Sequence, residues 1–325
     1  MKDQVIVLTG ASSGIGRATA LELASGGASL VLTSRDLGAL EQLARECNTA
    51  GGNAIAIAAD VTREEDVEAV GNLALSRFGR IDVWINNAAV ALFAKFEEAP
   101  PDVYRRVIET NFFGYVHGAR VALRQFKRQR RGNLINVISV TAGAPQPYTS
   151  AYVASKFALR GWASCLRMEL SLEKDHDIHV CSVYPSCIDT PLFQHAANYT
   201  GRAAKALDPV LPVTRAAHAI ASLIARPRAE IVIGASGRMM MANARMSPRL
   251  YEKTMARQID RNHLQDKHQD ATSGNLFVTT GPKAAAGGWR EHGTATAKVR
   301  KGGWPAVVAG AAVLAAVAMA AARRR

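Results

Sequence analysis

The sequence predicts an α/β fold, with a doubly wound parallel sheet of about seven strands and helices on both faces. Short runs of Val, Ile and Leu recur through the first 235 residues, apolar at consecutive positions as in strands buried on both faces. Longer stretches with helical spacing separate these runs, and this alternation is typical of parallel sheets. The predicted strands are residues 5–9, 30–33, 54–58, 83–86, 134–138, 179–184 and 231–233.

The helices between these strands are predicted from apolar residues three or four positions apart, which share one helix face. A helical run from Arg17 to Ser25 follows the first strand. Three later faces are Leu37, Leu40, Leu43 and Ala44; Val67, Val70, Leu73 and Ala74; and Val103, Val107, Ile108 and Val116. We therefore expect residues 1–236 to form one folded domain.

The net charge of +13 is distributed unevenly along the chain. Residues 237–325 contain 15 Lys and Arg against 5 Asp and Glu, so the preceding residues are nearly balanced. A basic groove on the folded domain is therefore not expected. The basic tail also lacks the interleaved aromatic residues and motifs of RNA- and DNA-binding proteins, so the sequence predicts no nucleic-acid partner.

The tail divides into segments of different composition. Residues 237–264 mix apolar and basic side chains and predict an amphipathic helical extension. Residues 265–303 are polar and rich in Gly and Ala, without a clear period, and predict a linker.

Residues 304–322 predict a transmembrane or membrane-inserted helix. They belong to an uncharged run of 21 residues, 302–322, which would span roughly 31 Å as a helix, about one hydrocarbon core. Ten of the 18 residues from 305 to 322 are Ala, so a surface-lying or solvated helix is the alternative. We expect a protein in contact with membrane lipid, its folded domain in the cytoplasm; a cytoplasmic protein is the alternative.

A glycine-rich turn follows the first predicted strand. Gly10, Gly14 and Gly16 precede a helix, and such a turn lets the backbone approach a pyrophosphate at the helix N-terminus. A turn without a ligand is the alternative. The spacing Gly-x-x-x-Gly-x-Gly resembles that of the short-chain dehydrogenase/reductase family.

Further motifs in the same order extend this resemblance over about residues 4–235. Asn86-Asn87-Ala88-Ala89 stands where the family usually has Asn-Asn-Ala-Gly, and Tyr152-Val-Ala-Ser-Lys156 matches its Tyr-x-x-x-Lys. Pro185-Ser186 departs from the usual Pro-Gly after the sixth strand, which puts the turn under the nicotinamide in doubt.

The resemblance implies a Rossmann-like fold, oxidoreductase activity on CH–OH groups and a homo-oligomer. The catalytic residues that it implies are Asn111, Ser139, Tyr152 and Lys156. The cofactor-binding residues that it implies are Gly10, Ser12, Ser13, Gly14, Ile15, Gly16, Asp60, Val61, Asn87, Ala88, Tyr152, Lys156, Pro185 and Thr190. The eight histidines show no ligand spacing, so no metal site is expected.

Tyr152 and Lys156 are four positions apart and would share one helix face, although an ordinary helix face is the alternative. A phenol has a pKa near 10, and a neighbouring ammonium favours the phenolate and lowers that pKa. Tyr152 would then exchange a proton with a carbonyl or alcohol oxygen. The resemblance implies that Ser139 holds that oxygen, that Lys156 binds the nicotinamide ribose, and that Asn111 holds a proton-relaying water.

The cofactor is expected to be NADP. An NAD-specific site typically places a carboxylate at the end of the second strand, whereas this chain has Ser34 and Arg35 there. A guanidinium can clamp a 2′-phosphate that a carboxylate would repel. A solvent-exposed Arg35 is the alternative.

Residues 1–236 would then be the NADP-binding catalytic domain of a carbonyl reductase or alcohol dehydrogenase. The expected substrate pocket includes residues 91–96, Leu192, Phe193 and His195, which are mostly apolar and favour a lipophilic carbonyl or alcohol. The alternative is a catalytically silent NADP-binding regulatory or scaffold protein at a membrane.

Overall fold

Seven strands form a central parallel sheet in the computed structural model, which describes residues 1–290 except His176 and Pro282. The strands of this part of the chain are β1 Val5–Thr9, β2 Ser29–Ser34, β3 Asn53–Ala58, β4 Val83–Asn86, β5 Leu92–Phe93, β6 Gly132–Val137, β7 Ile178–Pro185, β8 Ala197–Asn198, β9 Arg202–Ala204, β10 Glu230–Ile233 and β11 Leu264–His268.

Helices join most of these strands. They are α1 Gly14–Ser25, α2 Leu37–Thr49, α3 Glu64–Phe78, α4 Pro101–Ile108, α5 Gly114–Gln129, α6 Ser150–Leu172, α7 Leu192–His195, α8 Val213–Ala225, α9 Ala235–Met246 and α10 Pro248–Asn262. A π-helical turn, Glu109–Phe113, joins α4 to α5, and 3₁₀ turns occupy Phe96–Glu98 and Val140–Ala142.

The strand order is β10-β7-β6-β4-β1-β2-β3. The chain runs outward from β1 to β3 and then returns to place β4 on the other side of β1, so Ile6 pairs with both Leu30 and Val83. The order of strands therefore reverses between β1 and β4, and ligands of such sheets bind at the carboxyl ends of the strands near this reversal. The predicted doubly wound parallel sheet of seven strands is confirmed.

Two layers of helices cover the sheet. Alternate residues of β1 point to opposite faces: Ile6 and Leu8 lie in a buried cluster with α1, α2 and α8, whereas Val7 lies in a cluster with α3, α5 and α6. All five residues of β1 are buried. This burial on both faces explains why the strands are apolar at consecutive positions instead of alternating.

The expected extension is helical, and it packs on the domain. Tyr251, Met255 and Ile259 of α10 form a buried cluster with Ala144, and β11 then pairs antiparallel with β9. The helix α9 begins at Ala235, so helical structure starts slightly before the expected boundary at residue 237.

The segment expected to be a linker from residue 265 differs from that expectation in its first half. It begins inside β11, pairs through Thr272 with Asn198, and buries Leu276 completely. Its packing depends on isolated apolar residues and on backbone hydrogen bonds, neither of which produces a periodic pattern in the sequence.

The remaining expected segments, residues 291–303 of the linker and residues 304–322 of the membrane helix, lie outside the described residues. Among the helices within residues 1–290, none combines the length and the apolar content that crossing a bilayer requires.

A close approach between α5 and β4 can be tested at Gly118. A Cβ there would lie 2.3 Å from Asn86 Oδ1 and 2.6 Å from Trp84 Nε1, two atoms that share a buried hydrogen bond. Gly118→Ala should lower the free energy of unfolding by about 1–3 kcal/mol, because overpacking a core forces neighbouring atoms to move. Urea unfolding followed by circular dichroism measures this change.

The matched control is Gly161→Ala in α6, where an added Cβ would meet no atom within 4 Å. This exposed helical position should gain up to ~1 kcal/mol from the better helix propensity of Ala. Equal effects of the two substitutions would contradict the close packing of α5 on β4.

Candidate functional site

The turn between β1 and α1 depends on glycine. Gly10 and Gly14 have φ values of +65° and +55°, a region in which residues with a Cβ are strained. At Gly16, a Cβ would lie 2.2 Å from the Gly10 carbonyl oxygen. The turn therefore closes tightly under the N-terminus of α1, where free N–H groups and the helix dipole favour an anion. The other predicted residues of this turn, Ser12, Ser13 and Ile15, are partly buried.

The carboxyl ends of β1 and β4 are joined directly at this turn. The Asn87 side-chain amide donates to the carbonyl oxygens of Thr9 and Gly10, at 3.0 and 3.1 Å. In return, the Thr9 hydroxyl accepts from the backbone amides of Asn87 and Ala88, at 3.0 and 3.2 Å. A Cβ on Gly10 would lie 2.6 Å from the Ala88 Cα, so these two backbones touch.

Ser139, Tyr152 and Lys156 come together at the carboxyl end of β6. Ser139 lies two residues beyond the strand, and its hydroxyl accepts from the Thr141 amide at 3.2 Å. Lys156 lies one turn after Tyr152 on α6 and is completely buried. Its Nζ donates to the Val137 carbonyl oxygen at 3.2 Å and lies 5.5 Å from the centroid of the Tyr152 ring.

The pKa of Tyr152 differs from the expectation. Burial raises the pKa of the Tyr152 phenol to about 12, and a hydrogen bond with Ser139 offsets only part of this rise. Burial also lowers the pKa of Lys156 to about 7. The expected lowering of the Tyr152 pKa by the Lys156 ammonium is therefore not found: burial, which removes the phenolate from water, decides the direction, and the only opposing contribution comes from Ser139.

Asn111 lies in the π-helical turn Glu109–Phe113, a feature frequent at functional sites. Its side chain bonds both polar groups of the Val90 backbone, accepting from the amide at 2.8 Å and donating to the carbonyl oxygen at 2.9 Å. It also donates to the Ser155 hydroxyl at 3.3 Å, so Asn111 joins the segment after β4 to α6. The sequence placed Asn111 inside a helix but did not reveal the wider turn.

Arg35 and Asp60 follow β2 and β3 at the same edge of the sheet, and both are partly buried. The Arg35 guanidinium donates to the carbonyl oxygens of Asn275 and Leu276, at 2.5 and 2.7 Å, so it is not simply solvent-exposed. Burial lowers the pKa of Arg35, while Asp60 acts in the opposite direction.

The Asp60 carboxylate already has several partners. It accepts from the Thr62 amide and hydroxyl at 3.0 and 2.8 Å, and it pairs with the guanidinium of Arg106. Burial alone would raise the pKa of Asp60, but these partners hold it below its usual value. Val61 is buried, and a Cβ on Gly114 would lie 2.7 Å from its side chain.

The segment after β7 accommodates the unusual Pro185-Ser186 pair. A Cβ on Gly234 would lie 2.8 Å from the Ser186 hydroxyl, and one on Gly237 would lie 3.1 Å from its Cβ. The two glycines therefore leave room for the serine side chain. Thr190, further along this segment, is buried, and a Cβ on Gly14 would contact its Cβ at 3.4 Å.

Apolar side chains surround Tyr152 on two sides. One buried cluster holds Ala91, Phe93 and Leu264, with Leu192, Phe193 and Tyr152 packed against it. The second cluster includes Leu92 and Leu276 and also contacts Tyr152. Of the expected pocket residues, 91–94, Leu192 and Phe193 share these clusters with Tyr152, whereas Lys95 and Phe96 are exposed and His195 belongs to neither cluster. His195 is buried, and burial lowers its pKa.

Three residues of the site were missed by sequence reasoning. The Tyr115 ring lies 5.0 Å from Lys156 Nζ, Arg106 binds Asp60, and the Tyr148 hydroxyl donates to Asp260 at 2.9 Å, which links the segment before α6 to α10. Tyr148 has a φ of +63°, unusual for a non-glycine residue. No local pattern marks these residues, because their partners lie far away along the chain.

Comparison with known proteins agrees with the fold. Residues 4–200 match the family model described as short chain dehydrogenase. The chain is similar to an uncharacterized oxidoreductase, YxnA, of Bacillus subtilis (strain 168), with 38% identity over 257 residues, covering 78% of this chain and 72% of the relative.

Solved structures show the same fold. A short chain dehydrogenase/reductase from Burkholderia phymatum in complex with NAD superimposes with a TM-score of 0.71 and 25% identity, over 77% of this chain and 96% of that one. An alcohol dehydrogenase from Thermococcus sibiricus complexed with 5-hydroxy-NADP gives a TM-score of 0.62 and 28% identity, over 71% of this chain and 95% of that one. The chain thus belongs to the short-chain dehydrogenase/reductase family, a family of oxidoreductases acting on CH–OH or carbonyl groups.

Proposed function

We propose that this protein is an NADP-dependent oxidoreductase that transfers a hydride between the nicotinamide and a carbonyl or secondary alcohol of a lipophilic substrate. The observation that carries this proposal is the grouping of Ser139, Tyr152 and Lys156 at the sheet edge that also holds the glycine turn. A phenol, a hydroxyl and an amine in one buried site can move a proton to or from an oxygen atom.

The glycine turn fits a dinucleotide. A Cβ at Gly14 would fill the space beside Thr190, and the amides at the start of α1 can bind phosphate oxygens. We assign the pyrophosphate to Gly10, Ser12, Ser13, Gly14, Ile15 and Gly16, the adenosine half to Arg35, Asp60 and Val61, and the nicotinamide half to Asn87, Ala88, Tyr152, Lys156, Pro185 and Thr190. When bound, the nicotinamide supplies or accepts the hydride.

Tyr152 acts as the proton donor in this proposal. With a pKa of about 12, its phenol keeps its proton at neutral pH and can donate it to a carbonyl oxygen. Ser139 holds that oxygen beside the phenol. Lys156 has a pKa of about 7, so near neutral pH a sizeable fraction of the molecules carry its ammonium, whose positive charge stabilises the phenolate that forms when Tyr152 gives up its proton.

Asn111 positions this group. By bonding both polar groups of the Val90 backbone and the Ser155 hydroxyl, it holds the segment after β4 against α6, which carries Tyr152 and Lys156. The proton path through a water at Asn111, which the family resemblance implies, belongs to the same proposal.

The apolar surroundings of Tyr152 support a lipophilic substrate. Phe93, Leu192 and Phe193 pack in one cluster around the phenol, and burial of apolar substrate surface there contributes about 25 cal/mol per Å². Such a pocket favours a carbonyl compound that carries a sizeable hydrocarbon group.

The preference for NADP over NAD is supported by Arg35. The relatives do not decide it, because one similar structure is a complex with NAD and another a complex with 5-hydroxy-NADP. The guanidinium of Arg35 holds two carbonyl oxygens, and a 2′-phosphate offers charged oxygens to the same donors.

The membrane contact and the assembly are also proposals. The exposed apolar residues Met246 and Leu250, together with the basic residues of α9 and α10, support contact with an anionic lipid surface in addition to the apolar run 302–322. Exposed apolar side chains on α6, including Met168 and Leu172, support a homo-oligomer.

The first test replaces the proton donor. Tyr152→Phe keeps the aromatic ring but removes the hydroxyl, and should lower turnover about 10²–10⁴-fold, the usual contribution of general acid–base catalysis. NADPH oxidation with a panel of ketones and aldehydes measures turnover, and fluorescence titration measures NADPH binding, which should persist.

The matched control is Tyr251→Phe, which removes a buried hydroxyl that has no hydrogen-bond partner among the described residues and lies on α10. This variant should keep parental turnover. Full activity of Tyr152→Phe on a substrate that the parent reduces would refute the mechanism and favour the silent scaffold.

The second test removes the proposed 2′-phosphate clamp. Arg35→Ala should weaken NADPH binding relative to NADH binding by roughly ten- to a hundredfold, because a charge-assisted hydrogen bond contributes about 1.5–3 kcal/mol. The ratio of the two affinities is the readout, because Arg35 also binds the backbone at residues 275 and 276, and freeing that segment affects both cofactors alike. Arg45→Ala, at an exposed site on α2, is the control and should leave the ratio unchanged.

The third test concerns the membrane. The full chain should sediment with membranes and stay there in a high-salt wash, because buried apolar surface is not screened by ions. A chain ending at Arg300 should be released by salt. Recovery of the full chain in the soluble fraction at low salt would end the membrane proposal.

A further inference from the structure

Residues 274–281 and 283–289, which we call the strap, run along the edge of the sheet where the cofactor is proposed to bind. The strap follows β11 and has little regular secondary structure. The segment just before it is held on the domain by Thr272, whose amide donates to the Asn198 carbonyl oxygen at 2.9 Å and whose carbonyl oxygen accepts from the Asn198 amide at 2.8 Å.

The strap begins at the groups assigned to the adenosine half of the cofactor. The guanidinium of Arg35 binds the carbonyl oxygens of Asn275 and Leu276. The guanidinium of Arg106, the partner of Asp60, also donates to the Leu276 carbonyl oxygen at 3.1 Å. Backbone oxygens of the strap therefore hold both terminal nitrogens of the Arg35 guanidinium, the group proposed to bind a 2′-phosphate.

The strap then crosses the glycine turn. The Gly14 amide donates to the Ala284 carbonyl oxygen at 3.0 Å, so a strap oxygen lies where a pyrophosphate oxygen is proposed. Beside it, the Lys283 ammonium lies 3.4 Å from the Asp36 carboxylate, one residue beyond Arg35.

The strap ends at the groups assigned to the nicotinamide half. The Asp189 carboxylate accepts from the amides of Gly287 and Trp289, both at 3.0 Å. The Trp289 indole donates to the Thr190 carbonyl oxygen at 3.0 Å. A Cβ on Gly287 would lie 2.4 Å from that same oxygen, so the two backbones are in contact.

Leu276 anchors the strap in the apolar surroundings of the site. It is completely buried in the cluster of Leu92 and Val107 against which Tyr152 packs. Two residues later, Val278 is 68% exposed. Leu276 is therefore the apolar anchor of this part of the strap, beside the hydrogen bonds from Arg35 and Arg106.

We propose that the strap is an internal competitor of the cofactor, and that the dinucleotide binds only when the strap leaves the sheet edge. This inference rests on the proposed function, because it takes the cofactor to bind at Arg35, the glycine turn and Thr190. The single N–H of Gly14 cannot serve both the Ala284 carbonyl oxygen and a phosphate oxygen, and at Arg35 the strap carbonyl oxygens already hold both terminal nitrogens of the guanidinium.

The cofactor can displace the strap from these donors. The strap offers neutral carbonyl oxygens, whereas a phosphate offers charged oxygens, and hydrogen bonds to charged groups are about twice as strong as neutral ones. Opening the strap exposes Leu276 and therefore costs free energy. The apparent affinity for the cofactor is then the intrinsic affinity multiplied by the fraction of molecules whose strap is open.

The experiment weakens the strap without replacing any residue assigned to the cofactor. Leu276→Asp in the full chain puts a charge where the buried leucine lies, and Val278→Asp puts the same charge at an exposed position two residues away. Fluorescence titration with NADPH and with NADH gives the dissociation constants. Leu276→Asp should tighten the binding of both cofactors at least about tenfold, because the burial of one leucine side chain favours the closed strap by at least about that factor. Val278→Asp should stay within about twofold of the parent.

Thermal unfolding shows whether Leu276→Asp remains folded, and Leu276→Ala gives a milder change in the same direction if it does not. Equal affinities in the parent and in the folded Leu276 variants would overturn the competition. If neither the parent nor the variants bind NADPH or NADH, the proposed function fails and the inference that rests on it fails too. Equal binding by all of them would instead leave the proposed function standing and overturn only the competition.

Hydrogen exchange on the parent gives the second readout. The amides of Asn275, Gly287 and Trp289 are hydrogen-bonded in the closed strap and should exchange faster when NADPH is added, while the amides of β1 stay protected. Slower exchange at these amides would mean that the strap closes over the bound cofactor, and would overturn the proposal.

Discussion

The contact between the carboxyl ends of β1 and β4 is the constraint on which the rest of the site depends. Gly10 lies so close to Ala88 that no side chain fits between them, and Asn87 bonds the carbonyl oxygens of Thr9 and Gly10. This contact closes the turn that presents the amides of α1. It also sets where the segment after β4 begins, and Asn111 then holds that segment through Val90.

Burial shapes the chemistry of Tyr152 and Lys156. Both groups are displaced toward their neutral forms, the phenol with a raised pKa and the amine with a lowered one. Apolar surroundings favour the neutral form of each group, because the neutral form does not have to be removed from water as an ion. In the proposed mechanism, a proton transferred out of Tyr152 leaves a phenolate, and a protonated Lys156 beside it stabilises that charge.

The strap and the proposed cofactor both offer hydrogen-bond acceptors to the same donor groups. Backbone amides at a helix N-terminus and buried guanidinium groups are costly to leave without acceptors. In this structure Ala284, Asn275 and Leu276 provide those acceptors through their carbonyl oxygens. Under the proposal, the chain itself satisfies these donors when the cofactor is absent, and the apparent affinity for the cofactor is lowered in consequence.

The sequence by itself determined the parallel sheet, the glycine turn and the pairing of Tyr152 with Lys156. These features are local: consecutive apolar residues mark a strand buried on both faces, and positions four apart share one face of a helix. Only the tertiary structure decided the partners of Arg35, which lie 240 and 241 residues away, and the direction in which the pKa of Tyr152 moves. It also decided the packing of residues 265–290, because contacts between distant backbone atoms, and desolvation by distant side chains, leave no periodic pattern along the chain.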